Sequence, residues 1–300
     1  MKKPVFQTIF LLLCVLILGS CSARRFLNSA ATSYEIGEYY NSIEKYKKAY
    51  RSQKLRNEKS TIAFRVAEAY YHLSDFSKAT VWYKNAIKQK NNDPLCMLHY
   101  ADCLKASQKY EEAIVWYQTY LGVKPNDQYA KNGVEACKFA GSWLDKPTRY
   151  TVSPVKELNS KDNDYSPVFS GGRDNEVIFT STRDMTTGKR KSNITGTRFA
   201  DLFTSNFEIQ KQRWGKPKLV DENTMINTLS DEGAATISDK GDLMIFTRCK
   251  YDKTKDMGSE LLASKQSHGE WGEPTELKIV GDSLIAAHPS LSADGTTLYF

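Results

Sequence analysis

Three hundred residues, 40% hydrophobic and 26% charged, suffice for about two packed domains and exclude a disordered chain. The formal net charge of +7 divides unevenly: residues 22–146 hold 20 Lys and Arg against 13 Asp and Glu, whereas residues 147–300 hold 20 against 22. A basic half suits acidic lipid, a cell-wall polymer or an acidic protein, or is simply a solvated helical surface; no aromatic–basic motif of a nucleic-acid binder accompanies it.

The chain opens MKKPVFQTIFLLLCVLILGSC, two lysines before an apolar run from Ile9 to Leu18. A membrane span needs ~20 such residues, so the shorter run predicts a secretory signal over residues 1–20. Leu18-Gly19-Ser20-Cys21 resembles a bacterial lipobox. That resemblance implies cleavage between Ser20 and Cys21 and lipidation of the Cys21 thiol. Each buried CH₂ contributes ~0.8 kcal/mol, so several acyl chains make a lasting anchor. An ordinary cleaved signal with a chance cysteine is the alternative. Ser22 resembles outer-membrane sorting, and Ala23-Arg24-Arg25 lacks the acidic pair of Bacteroidetes surface-export signals. The expected location is the outer membrane, lipid-anchored and facing the periplasm.

Residues 21–145 contain an internal repeat. YYNSIEKYKKAY (39–50), FSKATVWYKNAI (76–87) and YEEAIVWYQTYL (110–121) align. Ser42, Ala79 and Ala113 share one position; Tyr46, Tyr83 and Tyr117 another; Ala49, Ala86 and Tyr120 a third. The last two copies are 34 residues apart, as are Ala67 and Ala101 upstream of them. Small residues at helix crossings, with aromatics one turn on, resemble the tetratricopeptide repeat (TPR). Each repeat is then two antiparallel helices that bury their apolar faces only by stacking. Asp93-Pro94 predicts an N-cap and a first-turn proline, and Pro125-Asn126-Asp127 opens a capping helix over roughly 127–141. The first copy is the weakest, with Ser29, Ala30 and Ser33 where larger residues are usual. The resemblance implies protein binding in a concave groove, with Arg65, Glu68, Tyr100 and Lys105 as candidates. A solvent-exposed position without a ligand is the alternative for each. Cys96, Cys103, Cys137 and Cys249 fit neither a CxxC motif nor a zinc finger, and buried thiols are expected.

After Trp143 helix breakers appear, and residues 146–300 read as short strands. DYSPVFSGGRDNEVIFTSTR (164–183), EGAATISDKGDLMIFTR (232–248) and AAHPSLSADGTTLYF (286–300) align on Ser170, Ser238 and Ser292. Each serine precedes a Gly/Asp/Asn turn and an apolar strand ending at Phe179, Phe246 or Phe300. ADLFTS (200–205) and SELLAS (259–264) supply a third strand, and Trp214 and Trp271 mark a fourth. The unit resembles the four-stranded blades of TolB-type β-propellers. Two blades and half of a third are expected, in an N-terminal part of a longer protein. The loop 182–199, with Lys189, Arg190 and Lys191, and the loop 249–258 both join strands two and three. Both are candidates for a docking rim, or are solvated loops.

No catalytic constellation is present in the sequence. His72, His99, His268 and His288 form no HExxH, and no GxSxG, Walker loop or GxGxxG occurs. The SDKGD and SADG turns lack the spaced carboxylates of an EF-hand loop, so no metal and no cofactor are expected. Asp282-Ser283-Leu284 weakly resembles a Bacteroidetes O-glycosylation sequence.

Lipobox, TPRs and TolB-like blades, in that order, resemble the Bacteroidetes outer-membrane lipoproteins that end in an OmpA-like peptidoglycan-binding domain, some associated with type IX secretion. The resemblance implies a non-enzymatic scaffold. A membrane lipid holds one end, peptidoglycan is gripped by a domain after residue 300, and secretion-system proteins dock between. A SusD-like nutrient-binding lipoprotein and a propeller-gated serine hydrolase are the alternatives; the blades count against the first, and a later GxSxG elbow would mark the second.

Overall fold

The computed structural model describes residues 24–144, 146, 148–250, 258–279, 281 and 284–300. The signal, the Leu18–Cys21 lipobox, most of the second rim loop and the Asp282-Ser283 pair lie outside them. The chain divides into two compact units. The first runs to Thr151 and includes Asn193–Gly196; the second comprises Val152–Ser192 and Thr197–Phe300.

The first unit is a TPR-type helical solenoid. Its described helices are α1 (24–35), α2 (Tyr39–Ser52), α3 (Arg56–His72), α4 (Phe76–Lys88), α5 (Pro94–Ala106), α6 (Tyr110–Val123) and α7 (Gln128–Leu144). The 34-residue pattern is the core pattern. Ser42, Ala79 and Ala113 are fully buried, and Tyr46, Tyr83 and Tyr117 fill the space one turn later. Asp93 caps α5 by accepting from the Leu95 N–H at 3.0 Å, with Pro94 in the first turn. Asp127 accepts from the Ala130 N–H at 3.0 Å at the start of α7. Where α7 crosses α6, Gly133 lies under the Tyr117 ring; a Cβ there would stand 2.6 Å from it. Cys96, Cys103 and Cys137 are free and buried, and burial pushes the thiols of Cys96 and Cys103 up to about 12. Cys249 departs from the expectation, because it is exposed.

The second unit is propeller-like β-structure. Its first sheet runs β1 (Asp164–Ser170), β2 (Arg173–Ser181), β3 (Asp201–Glu208), all antiparallel. The fourth strand is broken at Gly215 into β4 (Arg213–Trp214) and β5 (Lys218–Leu219), both paired with β3. The second sheet repeats this with β6 (Asp231–Ile237), β7 (Leu243–Cys249), β8 (Ser259–Ser267), β9 (Glu270–Trp271) and β10 (Thr275–Glu276). A third begins with β11 (Ser290–Leu291) and β12 (Leu298–Tyr299). Packing between the first two sheets buries Ile178, Leu202, Met244, Phe246 and Trp271.

The repetition extends to backbone detail. Ser166, Ala234 and His288 occupy one blade position, and all three have positive φ, at 49°, 46° and 57°. In the first two sheets the strand register shifts there, the mark of a β-bulge. The bulged N–H of Ala234 donates to Thr180 Oγ1 of the preceding sheet at 2.9 Å, and that of His288 to Thr247 Oγ1 at 2.9 Å. Successive sheets are thus stitched by the same hydrogen bond.

Candidate protein-binding surface

Helices α3 and α5 are the first helices of successive repeats, so residues 34 apart stand in rows across them. Three rows matter: Arg65 with His99, Glu68 with Asp102, and Tyr71 with Lys105. Within each helix these positions are three apart and share a face.

The middle row is structural. Glu68 is buried and accepts from Tyr83 Oη at 2.5 Å and pairs with His99 Nδ1 at 2.8 Å. Asp102 is also buried. It accepts from Tyr71 at 3.0 Å, from Tyr129 at 3.1 Å and from the buried Tyr117 hydroxyl. Lys105 Nζ stands 3.5 Å from it. Each carboxylate therefore ties its own helix to the following one, and the phenols of Tyr83 and Tyr117 are pushed up by burial and by those carboxylates. A group whose lone pairs are consumed inside the fold is not offered to a ligand.

That corrects two expectations. Glu68 belongs to the core, not to a binding face. Tyr100 is buried as well, edge-to-face on Trp116 at 5.1 Å, because it lies on the side of α5 that packs on α6. Arg65 is exposed, its guanidinium 5.9 Å from the Phe64 ring centre. Lys105 is half-buried, between the rings of Tyr117 and Tyr129 at 5.5 and 5.9 Å.

The structure adds two histidines to this face. The His99 ring stacks on Tyr71 at 4.4 Å, and His72 stacks on Tyr39 at 4.7 Å. Burial pulls His99 down, but the hydrogen bond and charge of Glu68, with Asp102 and Asp93, more than reverse it, and its pKa is raised. Arg65, His72, Tyr71, His99, Lys105 and Tyr129 thus give the α3–α5–α7 face cations and π-surfaces above a carboxylate foundation. The 34-residue spacing that relates Glu68 to Asp102 is itself a signal in the sequence for the second carboxylate.

In the second unit Lys189, Arg190 and Lys191 are exposed. Their loop is held by several bonds. Arg183 pairs with Asp164 at 2.6 Å, Arg198 with Asp184 at 3.3 Å, and the Thr187 N–H donates to Asp201 at 2.5 Å. Burial and the charges of Asp221 and Asp231 raise Asp201, and the Thr187 bond offsets only part of this. Residues 251–257 of the second loop, and Ser20 and Cys21, lie outside the described residues. An open apolar cavity of about 370 Å³ lies on the first sheet, against Leu158, Phe169, Phe179 and Trp214. Among the described residues no cluster of three or more His, Cys, Asp or Glu could hold a metal, and no helix is long and apolar enough to cross a membrane.

These features define a TPR-type helical solenoid followed by propeller-like sheets. Residues 35–121 match a family model described as tetratricopeptide repeat. Among solved structures, the first TPR domain of human RPAP3 is 20% identical, covering 42% of this chain and 98% of its own, with a TM-score of 0.37. The Sgt2 TPR domain from Aspergillus fumigatus is 14% identical, covering 46% and 91%, at 0.36. MamA from Desulfovibrio magneticus RS-1 is 17% identical, covering 42% and 69%, at 0.38. No curated protein sequence matches the chain.

Proposed function

We propose that the protein is a non-catalytic scaffold, held by a lipid on Cys21 at the periplasmic side of the outer membrane, and that its α3–α5–α7 face takes a segment of a partner protein. The observation that carries the reading is the repeat itself. A TPR array spends its buried groups on stacking and presents one face built from successive first helices. Here that face offers Arg65, Lys105 and stacked imidazoles, which suits an acidic or aromatic-containing segment. The order of lipobox, TPRs and blades supports a role in which secretion-system proteins of the type IX class dock on the two units. A peptidoglycan-binding domain carried after residue 300 would link them to the cell wall.

The test is affinity capture from detergent extracts with the wild-type chain and with Arg65→Glu/Lys105→Glu. Envelope or secretion proteins should be captured by the first and lost from the second. Capture of none, together with normal secretion in a deletion strain, would remove the scaffold reading. Labelled palmitate should enter the wild type and not Cys21→Ser.

A further inference from the structure

The positive charge of the helical unit is concentrated. Residues 44–92 hold 12 Lys and Arg against 4 Asp and Glu. Successive helices alternate in direction, so the turns 53–55, 89–93 and 124–127 lie at one end of the hairpins. The turns 36–38, 73–75 and 107–109 lie at the other.

The first end gathers Arg51, Lys54, Arg56, Lys59, Lys88 and Lys90, all exposed except the half-buried Lys59. Arg56 donates to the Lys88 carbonyl at 2.8 Å, so the start of α3 and the end of α4 adjoin there, and with them the turns 53–55 and 89–93. Among the described residues none of these six cations pairs with a carboxylate. The acids nearby are engaged elsewhere: Asp93 and Asp127 accept backbone N–H groups, and Glu58 accepts from Gln53. The opposite end has the reverse balance, with Glu35, Glu38, Asp75, Glu111 and Glu112 against Lys78, Lys105 and Lys109, and Lys78 already pairs with Asp75 at 2.5 Å and Lys105 with Asp102 at 3.5 Å. The solenoid is electrically polarised from end to end.

A second observation is independent of charge. The basic end carries an exposed apolar side chain at each of three successive turns: Leu55, Leu95 and Val123 are 58%, 43% and 53% exposed. Leu55 sits between Lys54 and Arg56, and Val123 precedes Lys124. Apolar tips repeated along one edge, two of them flanked by cations, fit a planar interface with anionic headgroups outside and acyl chains within. An acidic protein would answer the charge but leaves the row of tips unexplained.

We propose that this end of the solenoid docks on an anionic phospholipid surface, with Leu55, Leu95 and Val123 entering the headgroup layer. The inference stands apart from the Cys21 anchor, because it concerns folded residues alone. It gives the tethered protein an orientation, with the acidic end directed away from the lipid.

The test uses the chain from Ser22 to Phe300, which carries no acyl group, so its failure leaves the anchor reading untouched. Sedimentation with phosphatidylcholine vesicles containing roughly one quarter phosphatidylglycerol should pellet the protein at low salt, and binding should fall as salt rises. Each cation near such a surface contributes about fivefold in partitioning. Lys54→Glu/Arg56→Glu/Lys88→Glu/Lys90→Glu should therefore bind at least ~10-fold more weakly, with an unchanged circular dichroism spectrum. Leu55→Ala/Leu95→Ala should weaken binding while keeping its salt dependence. Equal binding to pure phosphatidylcholine, or no vesicle binding, would overturn the proposal. So would capture by a soluble polyanion such as heparin without vesicle binding.

Discussion

Tyr83 and Glu68 meet inside the second helical hairpin, phenol oxygen to carboxylate oxygen at 2.5 Å, with both side chains buried. Tyr117 and Asp102 repeat the pair 34 residues later, but the second carboxylate has more partners.

The two tyrosines should therefore differ in worth. Tyr83→Phe leaves Glu68 with His99 alone, whereas Tyr117→Phe leaves Asp102 with Tyr71, Tyr129 and Lys105. Losing one buried hydrogen bond to a carboxylate costs ~1.5–3 kcal/mol. Tyr83→Phe should fall at the upper end of that range and Tyr117→Phe at the lower, read as midpoints in urea unfolding of the two variants.

His99 makes stability depend on pH. Its folded pKa is raised above the ordinary 6.5. The folded state therefore holds the proton more tightly, and the contribution is complete below the unfolded value and lost as pH rises through the folded value. Stability of the helical unit should be greater near pH ~5.5 than near pH ~8.5 by an increment that His99→Gln abolishes. Denaturant titrations of both proteins at the two pH values measure it.

Gly133 and Gly122 separate crowding from helix propensity. Both are helical, and alanine is intrinsically better there by ~1 kcal/mol. A Cβ at Gly133 would lie 2.6 to 2.9 Å from ring atoms of Tyr117, whereas nothing stands within 4 Å at Gly122. Gly133→Ala should destabilise by ~1–3 kcal/mol and Gly122→Ala should be neutral or mildly stabilising, by thermal unfolding.

The bulge stitches should be individually detectable. Thr180→Val keeps the side chain's shape but strands the Ala234 N–H, and Thr247→Val strands that of His288. Each should cost ~1–3 kcal/mol in the β unit, and amide exchange at Ala234 or His288 should accelerate selectively.

The repeats were legible in the sequence because each has a period that backbone geometry imposes. Small residues and tyrosines recurring every 34 residues describe one helical crossing made several times, and the structure buries them all. Serine, turn and phenylalanine recurring ahead of a paired tryptophan describe one antiparallel sheet, and it forms, with the second strand running past the phenylalanine to Ser181 or Cys249 and the fourth broken in two. Even the bulge is periodic, though Ser166, Ala234 and His288 share no chemistry that would announce it; the shared feature is backbone conformation, which side-chain identity encodes only weakly.

What the sequence could not assign was which face of a first helix meets a partner. Such a helix touches neighbours on both flanks, so two of its faces are buried, and periodicity separates inside from outside only for a helix with one buried face. Glu68 and Tyr100 read as surface residues for that reason, yet one is the keystone of a polar network and the other packs on Trp116. The segregation of charge was likewise a tertiary result. Lysines from α2, α3 and α4 are scattered along the chain, and only the reversal of direction at each turn brings them to one end. Sequence alone determined that the helices stack and the strands pair; the stacking then decided which charges stay free to act.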